Sequence, residues 1–244
     1  DASNKDDFEK NVLIHTWLER VPTPYLMYIR TLYEYFKESK DYIKSPQELT
    51  RGKLNEYFDV SYQVDAIREG VAKVKRHSGC IIADVVGLGK SIIASAIAAN
   101  LDKQTIVITP PHLERQWDDY AADFGFRGCR IYTSGKLDKA VQENAGKQDM
   151  VIIIDEAHQY RNEKTERYAY LHRLCAGNKV ILLSATPFNN RPDDIFSLIK
   201  LFQIPAHSTI QTVNNLASQM TSLAAEYKKI QDANRKKTID DTEF

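Results

Sequence analysis

Three short stretches hold residue types that could together do phosphate chemistry. In "ADVVGLGKS", Gly87 and Gly89 lead into Lys90 and Ser91. A loop that closes around a polyphosphate needs backbone N–H groups unobstructed by a Cβ, a positive charge for the outer phosphates and a hydroxyl for Mg²⁺. Gly87, Leu88, Gly89, Lys90 and Ser91 meet that demand. A helix beginning near Lys90 would add its positive dipole end. The general pattern G-x-x-x-x-G-K-[ST] asks for glycine where this chain has Asp84, so the loop alone leaves an ordinary tight turn open.

In "MVIIIDEAHQY" an apolar run ends in two adjacent carboxylates. Asp155 could hold a metal ion through water, and Glu156 could orient or deprotonate an attacking water. The plainer reading is an acidic N-cap for a following helix, which accounts for one carboxylate but not for the whole Asp-Glu-Ala-His string. In "LLSATPFNN", Ser184 and Thr186 fall where another apolar run ends and Pro187 stops it. Hydroxyls there could bond the carboxylates of the second stretch and report the state of the γ-phosphate.

These stretches must be held by a scaffold. "CIIAD", "TIVIT", "CRIYT", "MVIIID" and "KVILLSAT" are short, rich in β-branched residues and bounded by turn formers, so they predict strands. "KSIIASAIAANL", "PHLERQWDDYAADF" and "TERYAYLHRLCAG" have helical spacing. Continuous apolar strands joined by helices mean a parallel sheet of βαβ units, with ligands at the carboxyl ends of the strands. The expected organisation is a helical segment over 1–60, an α/β domain over 61–203 and a helical arm over 204–244. In the first, Tyr25, Tyr28, Ile29, Leu32 and Phe36 share one helical face, and packing explains that stripe better than base stacking. In the arm, Ile210, Val213, Leu216, Met220, Leu223, Tyr227 and Ile230 alternate steps of three and four, a seam that needs a partner helix.

Bulk properties narrow the class. The 244 residues carry 33 Lys plus Arg against 33 Asp plus Glu, so no overall field draws the chain to a polyanion. Cys80, Cys129 and Cys175 are widely spread, which fits reduced thiols inside a cell rather than a disulfide framework. The six histidines do not cluster, and the acidic start is unlike a secretory signal. No apolar run approaches the ~18 residues of a membrane span. The expectation is an intracellular protein, in cytoplasm, nucleoid or nucleus, with no membrane partner. The missing initiator Met and the ending "KKTIDDTEF" predict a piece of a longer protein.

Taken in order, "YQVDAI", "ADVVGLGKS", "ITPPHLERQW", "IIIDEAHQYRNEKT" and "LLSATPFNNRPDDIFSLIKLF" resemble the motifs of superfamily 2 helicases, and among these the Swi/Snf type of ATP-dependent DNA translocase. In that family the first motif commonly reads A-D-x-x-G-L-G-K-[ST], so Asp84 is part of the likeness. The resemblance spans residues 62–202 and implies a RecA-like P-loop NTPase lobe, a parallel sheet flanked by helices. It implies ATP and Mg²⁺ as cofactors, with Gln63 recognising adenine, Lys90 and Ser91 on the phosphates and Mg²⁺, and Asp155 and Glu156 as metal ligand and water-activating residue. His158, Gln159, Ser184 and Thr186 would couple hydrolysis to movement. Thr109, Pro110 and Pro111 would contact phosphates of one nucleic-acid strand, and Tyr132 to Gly135 form a looser match for the same task. Contact through backbone N–H and hydroxyl groups needs few lysines, consistent with a neutral chain.

Such motors also use a second RecA-like lobe, which supplies an arginine finger worth about 10³–10⁵ in rate in related phosphoryl-transfer systems. The expected function is therefore the ATP-binding lobe of a translocase on double-stranded DNA, weak or inactive as a hydrolase alone. A strand-separating DNA or RNA helicase and a nucleotide-gated interaction module are the alternatives.

Overall fold

The computed structural model describes residues 61–83, 89–186, 192–210 and 215–240. All of them lie in the second of the two units into which the chain divides, Ser45–Phe244. The expected helical segment over 1–60, with its aromatic stripe, falls outside the described residues. So do Asp84, Gly87, Leu88, Pro187 and Val213.

Among the described residues five strands form one sheet: β1 (Gly79–Ala83), β2 (Thr105–Thr109), β3 (Arg130–Thr133), β4 (Val151–Ile154) and β5 (Lys179–Ser184). Their spatial order is β1-β5-β4-β2-β3, and every neighbouring pair is parallel. The helices are α1 (Ser61–His77), α2 (Lys90–Leu101), α3 (Glu114–Asp123), α4 (Leu137–Glu143), α5 (Glu166–Cys175), α6 (Pro192–Ile199) and α7 (Leu216–Asp240). The parallel sheet expected from the apolar runs is thus present, in the RecA-like form that the resemblance implies; β1 and β2 are as long as their runs and β3, β4 and β5 are a residue or two shorter.

Strand side chains alternate between faces, so each strand feeds two cores. Ile106, Ile108, Ile152, Ile154, Val180 and Leu182 pack with Leu137, Ala140, Leu171, Leu174 and Leu198 from α4, α5 and α6. Val107, Val151, Ile153, Ile181 and Leu183 pack with Ile67, Val74, Ile97, Trp117 and Phe124 from α1, α2 and α3. Helix α2 is buried almost all round, at Ile93 through Ala99, because α1 covers the side turned away from the sheet. Its alanines and Gly70 allow that approach: a Cβ on Gly70 would stand 2.2 Å from Ile97 Cδ1. Burial pushes the Cys80 and Cys129 thiols up to about 12 and Cys175 further still, so none is a ready nucleophile.

At the amino edge of the sheet, polar side chains pin the turns. Asn178 Oδ1 accepts from Met150 N at 2.9 Å, and its Nδ2 donates to Leu174 O at 2.7 Å. Gln203 donates to His77 O and accepts from Ser208 Oγ at 2.6 Å and Thr209 N at 3.0 Å. These last bonds change the reading of the arm. A continuous helical pattern was expected from Pro205, but Pro205–His207 is a single 3₁₀ turn and the α-helix begins at Leu216. The hydroxyls of Ser208 and Thr209 offer the backbone local partners that compete with a helix. The seam is divided too. Leu216 and Met220 are buried where α7 packs on α6, whereas Leu223 and Ile230 are 42% and 59% exposed.

Asn178→Ala leaves a buried N–H and a buried carbonyl without their partner. It is expected to destabilise the domain by about 1–3 kcal/mol. Urea denaturation checks this, and an unchanged midpoint would contradict the assigned role.

Candidate nucleotide and nucleic-acid site

A parallel sheet places all its strand-to-helix exits on one edge, and here each exit carries one of the motifs. Across the sheet from β1 they run in the order phosphate loop, Ser-Ala-Thr turn, acidic box, Thr-Pro-Pro turn and Tyr-Thr-Ser-Gly turn.

The phosphate-loop end is built around the start of α2. Gly89 has φ 79° and ψ 29° and its carbonyl accepts from Ile93 N at 2.9 Å. No side-chain hydrogen bond caps this helix and its first turn has no acidic residue, a helix start compatible with an anion. Gln63 is 7% exposed and stands against Gly89: a Cβ there would come within 2.9 Å of its Nε2. Gly89 is therefore required twice, for its left-handed backbone and for the space that Gln63 fills. Lys90 and Ser91 follow, both half-buried at the first turn.

Next to the loop, Ala83 pairs with Ser184 across the β1–β5 ladder. Ser184 is 1% exposed and its Oγ accepts from Thr186 N at 3.2 Å, closing the turn. Thr186 itself is exposed.

The acidic box occupies the middle of the edge. Asp155 N donates to Ile108 O at 2.8 Å, which continues the ladder by one residue. The carboxylate is 7% exposed, with Oδ1 accepting from Glu156 N and Oδ2 from the Trp117 indole Nε1, each at 2.9 Å. Burial pushes the Asp155 pKa up, opposed by the Trp117 and Glu156 N–H donors, reinforced by the Glu156 charge and opposed again by Lys90. The Lys90 contribution places the cation of the first motif within electrostatic reach of the carboxylate of the second.

Glu156 turns the chain with φ 50° and ψ 46°, a left-handed conformation uncommon for a residue with a Cβ. Ala157 and Tyr160 then drop into the core, 0% and 2% exposed, and fix the short 3₁₀ turn Ala157–Tyr160. That turn holds His158 Nδ1 3.0 Å from Glu156 Oε2, leaves Gln159 exposed and lets Arg161 Nε donate to His158 O at 2.8 Å.

The other end of the edge carries the two turns expected to meet nucleic acid. They lie side by side, because Ser134 N donates to Thr109 O at 2.9 Å. Their side chains differ in exposure. Thr109 is 0% exposed and Pro110 is buried, while Pro111 and His112 are exposed. The Tyr132 hydroxyl is taken up inside, donating to Glu143 Oε2 at 2.6 Å. Ser134 is half-buried and Gly135 exposed.

Trp117 closes the ITPPHLERQW stretch, but the sequence reading gave it no role. Its flanks are polar, and its ring is the buried one on α3. Nothing in the local pattern marks the indole N–H as the donor to a carboxylate 38 residues away.

A family model for the SNF2-related domain matches residues 129–237. A protein of Bacillus subtilis described as an uncharacterized ATP-dependent helicase, YqhH, is 28% identical over 178 residues, covering 63% of this chain and 31% of its own length. A mimivirus protein described as a putative ATP-dependent RNA helicase, L538, is 27% identical over 60% of this chain and 33% of its own. The Xenopus tropicalis SWI/SNF-related matrix-associated actin-dependent regulator of chromatin subfamily A-like protein 1 is 30% identical over 54% of this chain and 16% of its own. The chain thus spans a third or less of the length of these relatives. Among solved structures, the Sulfolobus solfataricus SWI2/SNF2 ATPase core in complex with dsDNA matches with a TM-score of 0.53 at 19% identity, over 68% of this chain and 43% of that one. That likeness concerns the fold.

The left-handed backbone at Glu156 costs about 1–2 kcal/mol relative to an unstrained residue. Glu156→Gly is therefore expected to raise the thermal midpoint of the domain, as strain held at a functional position is released. A lowered midpoint would show that the side-chain contacts of Glu156 outweigh the strain.

Proposed function

We propose that this chain is the RecA-like lobe of an SNF2-related protein, and that it binds ATP and couples hydrolysis to movement on double-stranded DNA. The observation that carries the reading is the order of exits along the sheet edge. Loop, Ser-Ala-Thr turn and acidic box adjoin at one end, the two phosphate-contacting turns at the other, and the acidic box touches both groups. Residues 61–203 form the motor lobe and 204–244 its arm.

In this proposal the leading N–H groups of α2, with Lys90, bind the β- and γ-phosphates, and Gln63 reads the adenine beside Gly89. The Ser91 hydroxyl and the Asp155 carboxylate are hard oxygen donors suited to Mg²⁺, and each oxygen of Asp155 keeps a lone pair beyond its one hydrogen bond. When bound, Mg²⁺ neutralises charge that develops on the phosphates. Glu156 orients and deprotonates the attacking water, with His158 alongside to hold it. Catalysis then rests on positioning and on fixed charge. Ser184 and Thr186, one strand away, sense the γ-phosphate, and His158 and Gln159 pass its loss onward. A second RecA-like lobe supplies the arginine that completes the site. Nucleic acid lies against the turn that carries Thr109, Pro110 and Pro111 and against the neighbouring turn; since Thr109 is buried and neither proline carries an N–H, phosphate contact there rests on the N–H groups of His112 and Gly135.

In the intact protein, Lys90→Ala is expected to abolish nucleotide-dependent activity, and wild-type turnover in that variant would overturn the loop assignment. Glu156→Gln is expected to retain ATP binding and lose hydrolysis by about 10²-fold or more. A loss of binding would argue against its role. Hydrolysis measured beside duplex DNA, single-stranded DNA and RNA tests the substrate. Greatest stimulation by duplex is expected, while preference for RNA or single strands would favour strand separation. ATP binding with no stimulated hydrolysis would favour a nucleotide-gated module.

A further inference from the structure

The carboxylate at the centre of the edge is held by an indole that belongs to the nucleic-acid side. Trp117 is 1% exposed, and its only hydrogen-bonding group, Nε1–H, donates to Asp155 Oδ2 at 2.9 Å. Asp155 Oδ1 is taken by the N–H of Glu156 at 2.9 Å. With one donor on each oxygen, the carboxylate plane is fixed, and rotating it breaks at least one bond in a buried site where the loss is costly.

The indole has a rigid route to the neighbouring turn. Leu113 N donates to Pro110 O at 3.0 Å, the 3₁₀ turn Pro111–Leu113 passes directly into α3, and Trp117 is the fourth residue of that helix. On α3 the Trp117 ring meets Tyr120 edge-on at 5.7 Å, and Tyr120 meets Phe124 at 6.3 Å. This aromatic row locks the indole to the helix, so a displacement of the turn reaches Asp155 with little slack. Phenylalanine at this position would fill similar space without donating. The indole N–H is therefore what distinguishes Trp117 from a core residue.

We propose that Trp117 is a positioning residue of the ATPase site, orienting Asp155 for its metal and tying that carboxylate to the turn where nucleic acid binds. The inference rests on the nucleotide and nucleic-acid roles proposed above. It adds a physical route by which duplex binding alters metal binding and turnover.

The test reads the Trp117 indole ¹H–¹⁵N resonance in the intact protein, assigned by its loss in Trp117→Phe. If that variant does not fold, nuclear Overhauser contacts to the Tyr120 ring assign it in the wild type. The resonance is expected to shift on adding ADP with Mg²⁺, to respond less to ADP in EDTA, and to move again with a short duplex. In Trp117→Phe the Mg²⁺ concentration for half-maximal hydrolysis is expected to rise about ten-fold or more. Fold-stimulation by duplex should fall, while ADP binding in EDTA is unchanged. A resonance that stays in place while Mg²⁺-ADP and duplex are both shown to bind overturns the inference and leaves the proposed function standing. So does a Trp117→Phe protein with wild-type Mg²⁺ dependence and stimulation. A protein that binds neither nucleotide nor duplex overturns both readings.

Discussion

The parallel direction of all five strands is the constraint on which the rest of this lobe depends. Parallel neighbours cannot be joined by a tight hairpin, so the chain must cross a face of the sheet between strands. Helices then cover both faces, which is why the strands are apolar at nearly every position rather than at alternate ones. The same geometry sends every strand exit to one edge. Five motifs scattered over more than a hundred residues become neighbours there without any of them having to interact in sequence.

That edge holds groups a stable core would avoid. Asp155 is a carboxylate with 7% exposure, tolerated because two N–H donors meet it. Glu156 adopts a backbone better suited to glycine or asparagine, held there by the buried side chains of Ala157 and Tyr160. Strain and charge burial coincide at adjacent residues, and the core beneath is dense enough to sustain both.

Beyond the edge, polar contacts bind the segment after the acidic box to the helix that follows the Ser-Ala-Thr turn. Ser197 Oγ and Lys200 Nζ converge on Glu163 Oε1 at 2.8 and 2.7 Å, Tyr168 donates to Ser197 O at 2.8 Å, and Arg161 lies 3.6 Å from Asp194. Helix α6 is thus clasped from one side and packs against α7 on another. The first turns of α7 spend their apolar residues on that contact, at Leu216 and Met220, and the helix then continues past its partner.

Strands, their parallel arrangement and the motif ends were legible in the sequence, because apolar runs bounded by turn residues are a local signal and the fold repeats it five times. The start of α2 near Lys90 follows from local chemistry in the same way, whereas the left-handed backbone of Gly89 is a finding of the structure. Three further features were not legible. The arm begins its helix at Leu216 rather than near Pro205, since Gln203, Ser208 and Thr209 form a polar knot with His77, a residue 126 positions from Gln203. The Thr109 hydroxyl, a natural phosphate ligand on paper, is buried by neighbouring strands. Trp117, which the sequence reading gave no role, is the donor to Asp155. Periodicity reports which face of an element is apolar. It carries no record of which buried polar atom meets which, because those partners are set when distant segments pack, and that choice belongs to the folded chain.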